Sequence, residues 1–150
     1  MTLQLVIGGL LTMACLAVSG LGLWGAEWAF TRHRRWLRSP PHAPKLLAVV
    51  LGTSLLVLVI ITAGVWVWAA ALLALGVFAS TEEALYFALV AYTTLGFGDV
   101  LPPHEWRILG AVAAANGFIN IGLLTTLLIE GLGQVRAGYR RTVLGEGAAD

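Results

Sequence analysis

The chain has 150 residues, of which 59% are hydrophobic and 11% are charged. A water-soluble domain carries about 25% charged residues, so this composition excludes one soluble domain and points to a protein integral to a membrane. The net charge of +1 says little, and the placement of the charges says more.

The first apolar segment runs from about Leu3 to Ala26. It has no Lys or Arg before its apolar run, which is longer than the roughly 7–15 residues of a signal-peptide core. The expectation is a retained transmembrane helix over residues 1–31. Cys15, the sole cysteine, lies inside this run as a small core residue and excludes an intrachain disulfide or a multi-cysteine metal site.

A basic loop, residues 32–45, follows with Arg32, Arg34, Arg35, Arg38 and Lys45 and no acid. Arg136, Arg140 and Arg141 add to the C-terminal tail, residues 136–150, whereas Glu82, Glu83, Asp99 and Glu105 outnumber Arg107 between the later segments. The positive-inside rule places the basic loop and the C-terminus in the cytoplasm and the N-terminus outside, in a multi-pass inner (plasma) membrane protein. Trp24, Trp28 and Trp36 suit the inner interface, and Trp106 the outer one. Arg32, Arg35 and Arg38 recur every third residue as in a voltage sensor, but Pro40 and Pro41 end any helix at once, so an interfacial anchor is the reading.

The second apolar segment, about Leu46 to Phe78, is too long for an upright span and too short for two. One tilted helix is expected. Ser80 followed by Glu83 is a capping box, so a helix should run from about Thr81 to Tyr92. It is too short to span and reads as re-entrant, with the negative end of its dipole turned inward where it favours a cation.

Then comes "TTLGFGD", residues 93–99. Alternating glycines visit positive φ at little cost, so Gly96 and Gly98 let successive carbonyls point to one side. Thr94, Leu95, Gly96, Phe97 and Gly98 would form a ladder of oxygens able to replace the water shell of a potassium ion. Asp99 would stand at the outer mouth. The third apolar segment runs from about Ile108 to Ile129. Its Asn116 and Asn120 lie one turn apart, expected either to bond against the second helix or a neighbouring subunit, or to line the pore. His104 could titrate near neutrality on the outer side. Glu130, near the inner end, could raise cation density there.

"TTLGFGD" resembles the potassium-channel signature Thr-Val-Gly-Tyr-Gly-Asp, with Leu95 and Phe97 as substitutions. "NGFINIGLLTT" resembles the inner-helix pattern of simple prokaryotic potassium channels. The resemblance implies an all-α membrane protein with three transmembrane helices, a re-entrant pore helix and a selectivity-filter loop, assembled as a homotetramer. It implies a pore domain over residues 46–135, gate hinges at Gly117 and Gly122, and a cavity lined by Phe118, Ile121 and Thr125. Val90 stands where some members carry a buried glutamate behind the filter. The implied activity is passive conduction of K⁺, not enzyme chemistry. Beyond K⁺ as permeant ion no cofactor is expected, and the partners are membrane lipids and further copies of the chain. No nucleic acid or small-molecule substrate is expected, since no nucleotide fingerprint, triad order or metal motif is present. No calcium-binding, nucleotide-binding or voltage-sensing module is expected after about Tyr139. A weakly selective cation pore, a non-conducting scaffold subunit and a one-repeat transporter relative are the rival readings.

Overall fold

Apolar runs continue as helix until a residue stops them, and the stops set this architecture. The computed structural model describes residues 1–33 and 42–143. Among the described residues four α-helices follow in order: α1 (Thr2–Arg32), α2 (His42–Ala74), α3 (Thr81–Tyr92) and α4 (Arg107–Val143), the last entered through a 3₁₀ turn at His104–Trp106. No strand occurs among the described residues. Among the described residues three stretches, Thr2–Arg32, Pro44–Ala74 and His104–Gly133, are long and apolar enough to cross a membrane.

The second segment stops earlier than its apolar run. α2 ends at Ala74 rather than near Phe78, because Gly76 takes φ +67°. Val77 N–H donates to Leu72 O (3.0 Å) and Gly76 N–H to Leu73 O (3.0 Å). This paired closure needs a residue at ease in the left-handed region. Val77 and Phe78 then fold back into the core, where the Phe78 and Phe87 rings lie 5.2 Å apart at 39°.

α1 and α4 outrun their apolar segments. α1 continues past Ala26 to Arg32, and α4 past Ile129 to Val143. α2 starts at His42, so the end of the basic stretch is helical. Arg34, Arg35, Trp36 and Arg38 lie outside the described residues.

α4 is the central element: it packs on α1, α2 and α3, and α3 sits in the cleft between α2 and α4. Trp68, Leu72, Ala84, Ala88, Leu109 and Ala113 are fully buried there. α1 meets the others through small residues. Its buried positions are Gly8, Cys15, Ser19 and Ala26, a spacing that keeps one face turned to its neighbours. A Cβ on Gly8 would stand 2.8 Å from Val112 of α4, and one on Gly22 2.4 Å from Ile60 of α2. Close backbone approach of this kind is the usual basis of helix packing in lipid.

Candidate functional site

α3 positions the site. Ser80 caps it, its hydroxyl accepting from Glu83 N–H at 3.1 Å, and Glu82 and Glu83 occupy the first turn. The expected helix limits are present, and so is the Ser80 half of the expected capping box. With 12 residues the helix is about 18 Å long at 1.5 Å per residue, well short of a span.

Its C-terminal end is closed by the segment that follows. Thr93 Oγ1 donates to Leu89 O at 2.7 Å. Thr94 N–H donates to Ala91 O (2.9 Å), while Leu95 N–H (3.0 Å) and Gly96 N–H (3.3 Å) both reach Val90 O. In a trans peptide the carbonyl points opposite to the N–H of the next residue. The carbonyls of Thr93, Thr94 and Leu95 are therefore aimed away from α3. Positive φ recurs at Thr94 (59°), Gly96 (61°) and Gly98 (78°). The two glycines adopt the expected left-handed conformation. Thr94 adopts it as well, which sequence reasoning missed; a β-branched residue enters that region only under constraint. The loop is exposed in the single chain, Leu95 by 58% and Phe97 by 66%.

Asp99 is tied to α3: the Tyr86 hydroxyl donates to Asp99 Oδ2 at 2.5 Å. That bond, above all, holds the Asp99 carboxyl below the ordinary carboxylate range, opposed by partial desolvation and aided by the backbone N–H groups of Asp99 and Val100. The same bond pushes the Tyr86 hydroxyl pKa up. Tyr86 was not among the residues singled out from sequence. The available signal was a tyrosine in the first half of a short helix that leads directly into its own glycine loop.

On α4, Gly117 lies against the C-terminal end of α3, where a Cβ would stand 1.8 Å from Tyr92 O and 2.7 Å from Tyr92 Cα. Contact with the Tyr92 backbone demands glycine there, and the helix runs unbroken through it. Around Gly122 a Cβ would meet nothing. Phe118 is 71% exposed, Ile121 half-buried, and the Thr125 hydroxyl donates to Ile121 O at 2.8 Å within its own helix. Asn116 and Asn120 are buried. Their partner within the chain is not α2 but α1: Ser19 Oγ donates to Asn120 Oδ1. Asn120 Nδ2 donates in turn to Asn116 Oδ1 (2.7 Å) and Asn116 O (3.1 Å). The expectation had left α1 out because it lay outside the recognised motif.

A family profile described as an ion channel matches residues 54–133. The chain belongs to this ion channel family. Among curated relatives, the A-type voltage-gated potassium channel KCND3 of Rattus norvegicus is 29% identical over 121 residues, covering 75% of this chain and 18% of the relative. The KCND3 channel of Homo sapiens matches equally, at 29% over the same length. The chain thus spans 18% of the length of these relatives. No solved structure gives a significant match. The family match and the three apolar helices found among the described residues make it a multi-pass membrane protein of the ion channel family.

Two further features lie beside the loop and toward the C-terminal part of α4. An apolar cavity of about 430 Å³ opens behind the loop, lined by Phe87, Val90, Gly96, Gly98, Gly110 and Ala114 among others. Glu130 lines a cavity of about 400 Å³ shared with Glu27 and Thr31 of α1. His104 lies in the 3₁₀ turn ahead of α4.

Proposed function

We propose that the chain forms a homotetrameric, potassium-selective channel whose filter is residues 94–98. The alternation of positive φ at Thr94, Gly96 and Gly98, with the N–H groups of Thr94, Leu95 and Gly96 turned into α3, carries this reading. It leaves a row of backbone oxygens on one side of the loop. Oxygens so arranged substitute for water around a dehydrated potassium ion. One chain supplies one strand of such a site, so several copies must surround one axis, and cyclic symmetry closes the ring. The exposed Leu95 and Phe97 and the open cavity behind the loop are the surfaces that neighbouring copies would cover.

In this reading residues 46–135 are the pore domain, with α3 entering the bilayer from outside and returning through the loop. Basic residues at the inner ends of α1 and α4 set the orientation, with the N-terminus outside and the C-terminus in the cytoplasm. Residues 1–31 form an additional span and residues 136–150 the tail. The membrane is the inner (plasma) membrane. Asp99, held by Tyr86, stands at the outer mouth and concentrates cations. Phe118, Ile121 and Thr125 face the cavity below the filter, and Gly122, with open space around it, joins Gly117 as the place where α4 could bend. K⁺ is the permeant ion and no further cofactor takes part. Leu95 is longer than the β-branched residue of the family signature, which favours weaker discrimination against Na⁺ as the second reading.

Flux of K⁺ from proteoliposomes against a Na⁺ counter-gradient tests this, with Gly96→Ala as the control. The expected result is K⁺-selective flux that Gly96→Ala reduces at least ten-fold, since alanine is strained at φ +61°. Equal flux of both ions would keep the pore and remove the selectivity. Flux unaffected by Gly96→Ala would move the filter elsewhere.

A further inference from the structure

α1 lies outside the segment that matches the ion channel family. It nonetheless makes two polar ties to α4. At the outer end, Gln4 Oε1 accepts from Leu109 N–H at 3.1 Å and Gln4 Nε2 donates to Glu105 O at 2.5 Å. Leu109 N–H belongs to the first turn of α4, where amides lack an intrahelical partner. Gln4 thus caps a helix to which it does not belong. The second tie, Ser19 to Asn120, lies 15 residues along α1, about 22 Å deeper at helical rise. Both members of that tie are buried.

The two ties bracket Gly117. The outer half of α4 is held by Gln4, by Tyr92 against Gly117 and by Phe87 against Gly110. The inner half, which carries the exposed Phe118 and Ile129, is held from behind by Ser19. No water at that depth can replace the Ser19 hydroxyl for Asn120.

We propose that α1 is the positioning element of the pore-lining helix. Gln4 fixes the outer end of α4, and Ser19, acting through Asn120, holds its inner half back from the pore axis. This rests on the channel reading above, in which the Phe118 side of α4 faces that axis. Narrowing of the inner pore then requires the Ser19–Asn120 bond to break. Interhelical hydrogen bonds in membranes shift an equilibrium by about three-fold on average. Four ties moving together would multiply that factor.

The test uses the full chain in liposomes, with Ser19→Ala compared with wild type and with Leu21→Ala, a control at an exposed side chain of α1. Two readouts are taken at equal recovery of assembled protein: K⁺ flux, and the rate at which N-ethylmaleimide alkylates Cys15. Cys15 is 2% exposed in the core beneath the α1 contact face, so its thiol reports separation of α1 from its neighbours. Ser19→Ala should lower flux at least three-fold and raise the Cys15 alkylation rate by a similar factor, with Leu21→Ala changing neither. Flux and alkylation both within two-fold of wild type, or flux that rises, would overturn the proposal. Should Ser19→Ala fail to assemble, Gln4→Ala leaves the buried core intact and should lower flux two- to three-fold; unchanged flux there would overturn it. If wild type itself carries no K⁺, the channel reading fails, and alkylation alone decides: faster in Ser19→Ala supports the tie, equal rates reject it.

Discussion

At the scale of single residues, Tyr86 and Asp99 are the pair to perturb. The Asp99 carboxyl is held low chiefly by the Tyr86 hydroxyl. A carboxylate whose folded pKa lies below its unfolded value of about 3.9 contributes fully above that value and loses its contribution as pH falls through the folded one. The tether should therefore be intact at neutral pH and lost only in strong acid. Tyr86→Phe should raise the Asp99 midpoint toward about 3.9, followed by NMR titration of the labelled aspartates. It should also make K⁺ flux run down faster at neutral pH, with the difference from wild type vanishing in acid. An unchanged midpoint would remove Tyr86 from the outer mouth.

At the scale of elements, glycine spacing within α4 separates two roles that sequence alone could not. Gly117 and Gly122 look alike in the motif. In the structure a Cβ on Gly117 would lie 1.8 Å from Tyr92 O, whereas one on Gly122 meets nothing. Gly117→Ala should destabilise by about 1–3 kcal/mol, the usual range for overpacking. Gly122→Ala should stay within about 0.5 kcal/mol. Thermal unfolding of the purified protein checks both, and equal losses would contradict the packing. The motif predicts a bend at Gly117, but the contact with α3 belongs to tertiary structure and leaves no trace in α4 itself. The α1 face was more accessible. Gly8, Cys15, Ser19, Gly22 and Ala26 recur at spacings of seven, four, three and four, which is the period of a helix seam. That signal passed unused because apolar content alone had already explained the segment. The stop at Gly76 was missed for the same reason, its neighbours being uniformly apolar.

At the scale of the whole molecule, the three spans and the short capped helix were legible because each carries a local signature: length of apolar run, or Ser80 with Glu83. The left-handed conformation of Gly96 and Gly98 was legible because two glycines in alternation have few other uses. What sequence could not give was contact between distant elements, such as Ser19 with Asn120 or Tyr86 with Asp99. Such pairs depend on how helices are brought together. Assembly has its own consequence. If copies share one ion site, K⁺ binds the assembly and not its separated chains, so it stabilises by mass action. Replacing K⁺ with N-methylglucamine should lower the melting temperature of the assembly. At K⁺ a hundred-fold above its dissociation constant the loss is about 2.7 kcal/mol. A melting curve indifferent to K⁺ would argue against a shared site.

The turn of Thr94, Leu95 and Gly96 into the end of α3 also decides what the loop refuses. Every N–H of those residues is spent on a carbonyl of α3. The opposite side of this stretch offers oxygen lone pairs and no backbone proton. Chloride, which needs donors to replace its hydration shell, would find none there. In the proposed channel the direction of these peptide groups would thus turn anions away, without any charged side chain between Thr94 and Gly98.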